Sequence, residues 1–474
     1  IIFIFQRKFK LFLNFSFFVL YVKNWYNTSC MKKNQSIDLL HGPIFKSLSL
    51  LAIPIMATYF IQMAYNLVDM LWIGYLGSGA VASIGVSGNF MYLANGLVNM
   101  PKIGSQALVG QSLGANNKEE TKKYIQSAFQ SAILFAIVYG IIIILFQKNL
   151  IQLFNLNDSS IIQDAQNYLW ITCGFIIFSF VNQIFTGILT AAGHSKSTFI
   201  ATTTGLVLNL ILDPILIFVF NLKVVGAALA TIIAQIVVTI VFICDAKKFD
   251  LFKNLNLLSK PDKTHISRIL KIGFPSSVQS MLFTCISMYI ARLISAFGAI
   301  SVAVQKVGSQ IESISWMAAD GFSASINAFT SQNYGAKNYE RVHKGYNTGM
   351  LVVGLWGLFT TCILVFLPGP IFSCFIHEPN ILPYGIDYLK ILGYSQLFMC
   401  IEIATQGAFN GLGKTLPPSI VSIVFTSARI PMAILFSHYL GVNGVWWAIS
   451  ISSIIKGIVL VSWFILYSKR RLVV

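Results

Sequence analysis

Leu206-Val-Leu-Asn-Leu-Ile-Leu-Asp-Pro214 places two polar side chains, Asn209 and Asp213, four residues apart in an otherwise apolar run. Four residues is about one helical turn, so both lie on one face of a helix. Pro214 has no backbone N–H to donate and frees the carbonyl of Leu210 one turn back. A carboxylate, an amide oxygen and a spare carbonyl therefore meet inside a stretch with the composition of a membrane span. An ionisable group is costly there, and the grouping predicts a cation or proton site. The plainer alternative is a structural Asp213 bonded to a neighbouring helix.

The rest of the chain supports the membrane reading. Of its 474 residues, 56% are hydrophobic and 10% charged. Mean hydropathy is +0.73. Soluble domains carry about 25% charged residues, so this is an integral membrane protein. The 14% aromatic content, with 38 Phe, suits a lipid-facing surface and interfacial belts. A formal charge of +17 would suggest nucleic acid for a soluble protein. Here the basic residues fall between apolar runs, so they report topology, and no nucleic-acid partner is expected. The 7 Cys show no CxxC pairing and read as small buried hydrophobes.

Apolar runs long enough for about 20 helical residues fall at 48–76, 80–108, 123–146, 164–190, 197–220, 224–244, 268–296, 300–329, 345–367, 384–409, 417–440 and 443–467. The expected fold is all-α with twelve transmembrane helices. Lys32, Lys33 and Lys46 precede the first span, and Lys118, Lys122 and Lys123 follow the second. Lys247, Lys248, Lys253, Lys260, Lys263 and Arg268 fill the long loop after the sixth. Lys337, Arg341 and Lys344 follow the eighth, and Lys469, Arg470 and Arg471 the twelfth. The opposite loops offer little beyond Lys148 and Lys223. Both termini are therefore expected in the cytoplasm, which agrees with an even number of spans. The expected location is the cell (plasma) membrane.

The chain also repeats itself. Pro54 matches Pro275, and Gln111, Gly114, Ala115, Asn117 and Glu119 match Gln332, Gly335, Ala336, Asn338 and Glu340, all at an offset of 221. Gly187 and Gly193 match Gly407 and Gly413 at 220. Six spans are duplicated in the same sense, which predicts two lobes about an axis along the membrane normal with a central cavity. The expected division is an N-terminal extension 1–45, an N-lobe 46–245 with helices 1–6, a cytoplasmic linker 246–267, a C-lobe 268–468 with helices 7–12, and a basic tail 469–474. Within the extension, residues 1–30 read as translated upstream sequence or a dispensable segment ahead of Met31.

At these residues the chain resembles the multidrug and toxic compound extrusion (MATE) transporters, over about 45–468. The resemblance is carried by Asn66-Leu-Val-Asp-Met-Leu-Trp-Ile-Gly-Tyr-Leu-Gly77, by Gly110-Gln-Ser-Leu-Gly-Ala-Asn116, by Gly187 to Gly193 with its echo Gly407-Ala-Phe-Asn-Gly-Leu-Gly413, and by Asn209 to Pro214. It implies a V-shaped pair of six-helix lobes and export of organic, often cationic, compounds against entry of H⁺ or Na⁺. It also implies a first-lobe cation site at Asp69, Asn209, Asp213 and Thr231, with Tyr168 a looser match. The implied partners are a small-molecule organic substrate and membrane lipid, the implied state is a monomer, and no cofactor is expected.

That site is chemically reasonable. Na⁺ is a hard cation that wants several oxygens, as Ca²⁺ does. Two carboxylates in low dielectric do not both ionise freely, which suits a proton carrier. For Thr231, ordinary helix packing is the alternative. The second half has no acid at the matching positions, where Ile290 and Ile430 stand. Its charged candidates are Glu312, Asp320 and Glu402. Glu312 and Asp320 are expected near Lys306, with Arg292 and Arg429, in an ion-paired structural or gating network. Pro54, Pro101, Pro275 and Pro431 sit inside spans, where each allows a bend. Met56, Tyr59, Phe60, Met63, Met281, Phe283 and Met288 are candidates for an adaptable apolar cargo wall. The competing function is a flippase for lipid-linked saccharides, which Arg292, Lys306 and Arg429 would suit. No P-loop, Gly-x-Ser-x-Gly or His-Glu-x-x-His occurs, so enzymatic motifs give no support to an enzyme.

Overall fold

The computed structural model describes residues 36–471 except 153, 155–157, 254, 258 and 377. The expectations for residues 1–30, for Cys30 and for the end of the basic tail lie outside the described residues.

Twelve helical rods follow one another, one for each apolar run. α1 is Ile44–Tyr75, α2 Ser78–Gly114 and α3 Lys118–Gln152. α4 is two pieces, Ser159–Gly174 and Ile176–Ala191, meeting at a 48° bend. α5 is Ser195–Val219 and α6 Lys223–Ala246. α7 is Lys263–Ser295, α8 Ala299–Gly335 and α9 Tyr339–Phe366. α10 is two pieces, Leu382–Gly393 and Gln396–Gly411. α11 is Leu416–Leu440 and α12 Val442–Arg471. Among the described residues, nine rods are long and apolar enough to cross a membrane alone, and the bent α4 makes ten. The other two, α8 and α10, hold the acids Glu312, Asp320 and Glu402.

Proline explains two of the irregularities. Past Pro214 the helix continues as a wide π turn, Ile215–Val219, the shape that absorbs a lost i→i−4 bond. Pro431 cannot donate to the carbonyl of Ser427, and α11 is interrupted there, between Ser427 and Arg429. Pro54, Pro101 and Pro275 instead sit inside continuous helices. The breaks in α4 and α10 have no proline, and hydropathy gives no sign of them.

The turns obey the repeat. Gly77 and Gly298 open α2 and α8 with φ of +101° and +96°, values that only glycine adopts without strain. Between the halves, α1 packs on α8, α2 on α7, and α2 on α8. The contacts at the basic end of the rods are reciprocal. Gln111 donates its side-chain N–H to the carbonyl of Gly411 at 3.0 Å, and Gln332 donates to that of Ala191 at 2.6 Å. α2 and α8 also run past the expected span ends to make these contacts.

The linker lies along α3. Gln130 donates to the carbonyls of Leu257 and Ser259 at 3.1 and 3.0 Å. His265 is held between Glu120 Oε2 and Asp262 Oδ2, each at 2.7 Å, and Asp262 also caps the start of α7. One sequence expectation needs correction. Cys173 and Cys400 are buried, but Cys244, Cys285, Cys362 and Cys374 are exposed. Lipid tails are as apolar as a protein core, so a small apolar side chain in a span does not reveal which it faces.

Candidate functional site

α1 and α5 pack side by side, with α6 against α5. This brings Asp69 and Asp213 within electrostatic reach of each other. Tyr65, one turn before Asp69, donates its hydroxyl to Asn209 Oδ1 at 2.5 Å. Asn209 in turn donates its amide N–H to Asp213 Oδ1 at 3.0 Å. That chain uses one oxygen of Asp213. The other, Oδ2, is buried and has no hydrogen-bond partner, in a residue only 1% exposed. A buried acceptor left without a donor is costly.

Thr231 on α6 lies within reach of both Tyr65 and Tyr168. Its hydroxyl donates to the carbonyl of Ala227 at 3.0 Å, which leaves its oxygen lone pairs open. The five residues expected from the sequence are therefore gathered at one place. Tyr65 was missed, although its i, i+4 spacing from Asp69 on an apolar helix is the signal that finds it. The oxygens of Asp69, Asp213, Asn209 and Thr231 make a donor set suited to a hard cation.

The site opens on a cavity of about 280 Å³, whose lining includes Tyr65, Asn209 and Thr231. Its wall mixes amides and hydroxyls, Gln62, Gln106, Asn182, Gln183, Gln235 and threonines of α4 and α5, with apolar side chains such as Ile55, Leu206, Val238 and Phe242. Lys102 stands in it, donating to Gln183 Oε1 at 2.6 Å. Asn182 ties α4 to α6 by donating to Gln235 Oε1 at 2.8 Å and accepting from Thr239 at 2.8 Å.

One of the seven candidate cargo-wall residues, Tyr59, lines this cavity, and Met56, Phe60, Met63, Met281, Phe283 and Met288 do not. Met56 sits against Gly321 of α8, Met63 accepts from Ser313 of α8 at 3.4 Å, and Met281 sits against Gly96 of α2. Phe283 and Met288 are 46% and 44% exposed. Met56, Met63 and Met281 thus meet the opposite half.

The second-half charges separate into three groups, and none of them centres on Lys306, which is exposed. Glu402 pairs with Lys456 of α12 at 3.1 Å, with side chains 6% and 7% exposed. Glu312 accepts from Tyr388 at 3.3 Å and Gln396 at 3.4 Å, within the electrostatic reach of Arg429. Arg429 donates to Ser452 at 2.7 Å and Ser453 at 3.0 Å. Asp320 lies within the electrostatic reach of Lys102 and Tyr59 of the first half. Arg292 is exposed at the end of α7. The expected grouping failed because partner choice depends on how rods pack, which spacing along one helix does not encode.

The Glu402–Lys456 pair carries a prediction. Lys456→Met leaves a buried carboxylate without its cation, a loss of about 3–5 kcal/mol for a broken buried pair. Thermal unfolding of the purified protein should show a marked fall in midpoint. The double variant Glu402→Gln/Lys456→Met should recover most of it.

A model of the MatE family matches the chain twice, over residues 54–215 and 275–435. The chain belongs to this family. As a member it is a membrane transporter and not an enzyme. The two matched blocks coincide with the two copies of the sequence repeat. The chain is 28% identical over 417 residues to a probable multidrug resistance protein NorM of Thermotoga maritima, covering 85% of this chain and 88% of that one. It is 25% identical to the multidrug export protein MepA of Staphylococcus aureus, covering 89% and 94%. Its fold is that of a crystallised MATE protein in complex with MaD3S, at a TM-score of 0.86 and 23% identity, covering 93% and 99%. These relatives establish the fold and the family. The ion and the cargo remain matters for this chain's own residues.

Proposed function

We propose that the protein exports organic, often cationic, compounds across the plasma membrane by alternating access, driven by H⁺ or Na⁺ entering through the Asp69–Asp213 site. The observation that carries this reading is the buried Oδ2 of Asp213, without a hydrogen-bond partner and within electrostatic reach of a second carboxyl, Asp69, next to the cavity-lining Asn209. Two carboxylates this close repel in low dielectric, and a proton or Na⁺ between them relieves the repulsion. Loading also acts on the hydrogen-bond chain from Tyr65 through Asn209, and so on the packing of α1 against α5. His194, at the turn before α5, is no competing proton carrier near neutral pH, because burial pushes its imidazole down to about 4.

In this reading residues 46–245 and 268–468 act as two lobes joined by the 246–267 linker, in a single chain with both termini in the cytoplasm. The basic loops support that orientation. The reciprocal glutamine contacts at the basic end then close the cytoplasmic side. The relatives described as multidrug export and resistance proteins support export of drugs or metabolites. The flippase reading loses support, because Arg429 and Lys456, which could have supplied a cationic cavity, are engaged with buried partners.

The test is transport in proteoliposomes under one gradient at a time. A fluorescent organic cation should move when a pH gradient or a Na⁺ gradient is imposed, and the effective gradient names the ion. Equal movement with no gradient would contradict coupling.

A further inference from the structure

The repeat that relates the two halves also relates two contacts at the basic end, and their chemistry differs. Arg341, near the start of α9, reaches the segment ahead of α1, donating to the carbonyl of Leu39 at 3.3 Å and to that of Gly42. Asn333 donates to the same Leu39 carbonyl at 3.0 Å. The residue 221 positions before Arg341 is Glu120, near the start of α3. It reaches the other way, to His265 on α7. Each half thus grips the chain that leads into the other. Leu39 is 1% exposed and His265 7%, so both contacts are packed.

A guanidinium on backbone carbonyls holds nothing that titrates near neutral pH. His265 does. Its Nε2 stands 2.7 Å from Glu120 Oε2, and its Nδ1 2.7 Å from Asp262 Oδ2. An ionised carboxylate only accepts, so both contacts are hydrogen bonds only in the doubly protonated ring. A neutral imidazole has one N–H and turns a lone pair toward one of the two oxygens. Backbone N–H groups, first that of His265, hold Asp262 below the ordinary carboxylate range, so it stays an acceptor. From α3 the ring also meets Tyr124, edge-on with centroids 4.8 Å apart, and Tyr124 accepts from Arg268 of α7 at 3.2 Å. Lys123 is engaged with Glu119 at 2.7 Å. The linker ahead of this contact is held by neutral groups: Phe252 packs on Phe185, and Gln130 donates to the carbonyls of Leu257 and Ser259. Loss of the proton therefore frees the start of α7 and leaves the linker in place.

We infer that His265 is a regulatory proton site, separate from the Asp69–Asp213 pair, that latches α7 to α3 when protonated and releases it as the cytoplasm turns alkaline. The sign follows from the proton count: the latched state holds one proton more, so acid favours it. Opening toward the cytoplasm parts the halves at this end, so the latch sets how readily the inward-open state forms. Where H⁺ drives export, protons that enter tighten the latch and slow their own entry. The inference rests on the orientation proposed above, which puts this end in the cytoplasm.

Lys118→Cys and Ser267→Cys, at exposed positions of α3 and α7, carry spin labels in an otherwise cysteine-free chain. Distances are measured in lipid nanodiscs, without cargo or gradient, from about pH 5 to about pH 8, where imidazoles ordinarily change charge. One short distance should dominate in acid. A longer population should grow with pH, its ratio to the short one rising by up to about tenfold per pH unit, the limit for one linked proton. His265→Gln should show the longer population throughout, and His265→Arg, a fixed cation, the short one. Asp213→Asn should titrate like the unaltered protein. A single distance across the range in the unaltered protein would overturn the inference, as would a normal titration in His265→Gln. A titration lost in Asp213→Asn would assign the movement to the coupling pair and overturn it too. No transport enters the measurement, so failed export in proteoliposomes would leave the latch standing, and a failed latch would leave export standing.

Discussion

Asp213→Asn should abolish gradient-driven export, with a loss of roughly a hundredfold, the upper end of an ordinary coupling free energy. Asparagine has nearly the same shape and keeps an oxygen to accept from Asn209, so the 3.0 Å contact can persist. What is lost is the ionisable Oδ2, the one buried atom of the site with no partner. The variant should therefore purify and bind cargo while its transport no longer responds to either gradient. Asp69→Asn should behave similarly, because the account needs both carboxyls. Thr231→Val should cost less, about tenfold, since it removes one neutral oxygen from the set and no charge. Transport measured under imposed gradients, beside cargo binding to the same preparations, separates loss of coupling from loss of fold. Full gradient-driven export by Asp213→Asn would move coupling to Glu312, Asp320 or Glu402.

The second large effect concerns the closed end. A Cβ added at Gly114 would stand 1.8 Å from the carbonyl oxygen of Gln332, and one at Gly335 would stand 1.9 Å from that of Gln111. Both obstacles are backbone, so no rotamer change relieves them. Ordinary contact begins at 3.4 Å, so one side must retreat by roughly 1.6 Å. Gly114→Ala/Gly335→Ala should therefore force the two halves apart at the basic end. Transport should fall to background while helix content is retained. Spin labels at Lys118 and Lys337, beyond the two helix ends, should report a longer mean distance than in the unaltered background. An unchanged distance with normal transport would show that this end need not close.

The fold was largely legible because lipid imposes a simple rule. Each span must satisfy its own backbone and present apolar side chains, so twelve apolar runs became twelve rods. The repeat was legible because turn geometry is local: Gly77 and Gly298 occupy the same left-handed position in both copies. The acid pair was legible in part. Asn209 and Asp213 declare themselves by spacing, and Asp69 entered through family resemblance. Tyr65 follows from Asp69 by one helical turn but carries no charge to attract notice. The Glu312–Tyr388 contact and the Glu402–Lys456 pair were not legible. Each joins rods whose relative rotation no single-helix pattern fixes. The same limit applies to Met56, Met63 and Met281, whose neighbours in the opposite half no spacing along α1 or α7 reveals.

The most direct test of the account is the release of the coupling cation on cargo binding. Purified protein in a weakly buffered, Na⁺-free solution is titrated with dansylcadaverine while a pH indicator records protons. The experiment is repeated with Na⁺ present and a Na⁺-sensitive indicator. The account predicts release of about one cation per cargo bound, of whichever ion drives transport, and none from Asp213→Asn. Cargo binding with no release of either ion, or equal release from the variant, would contradict it.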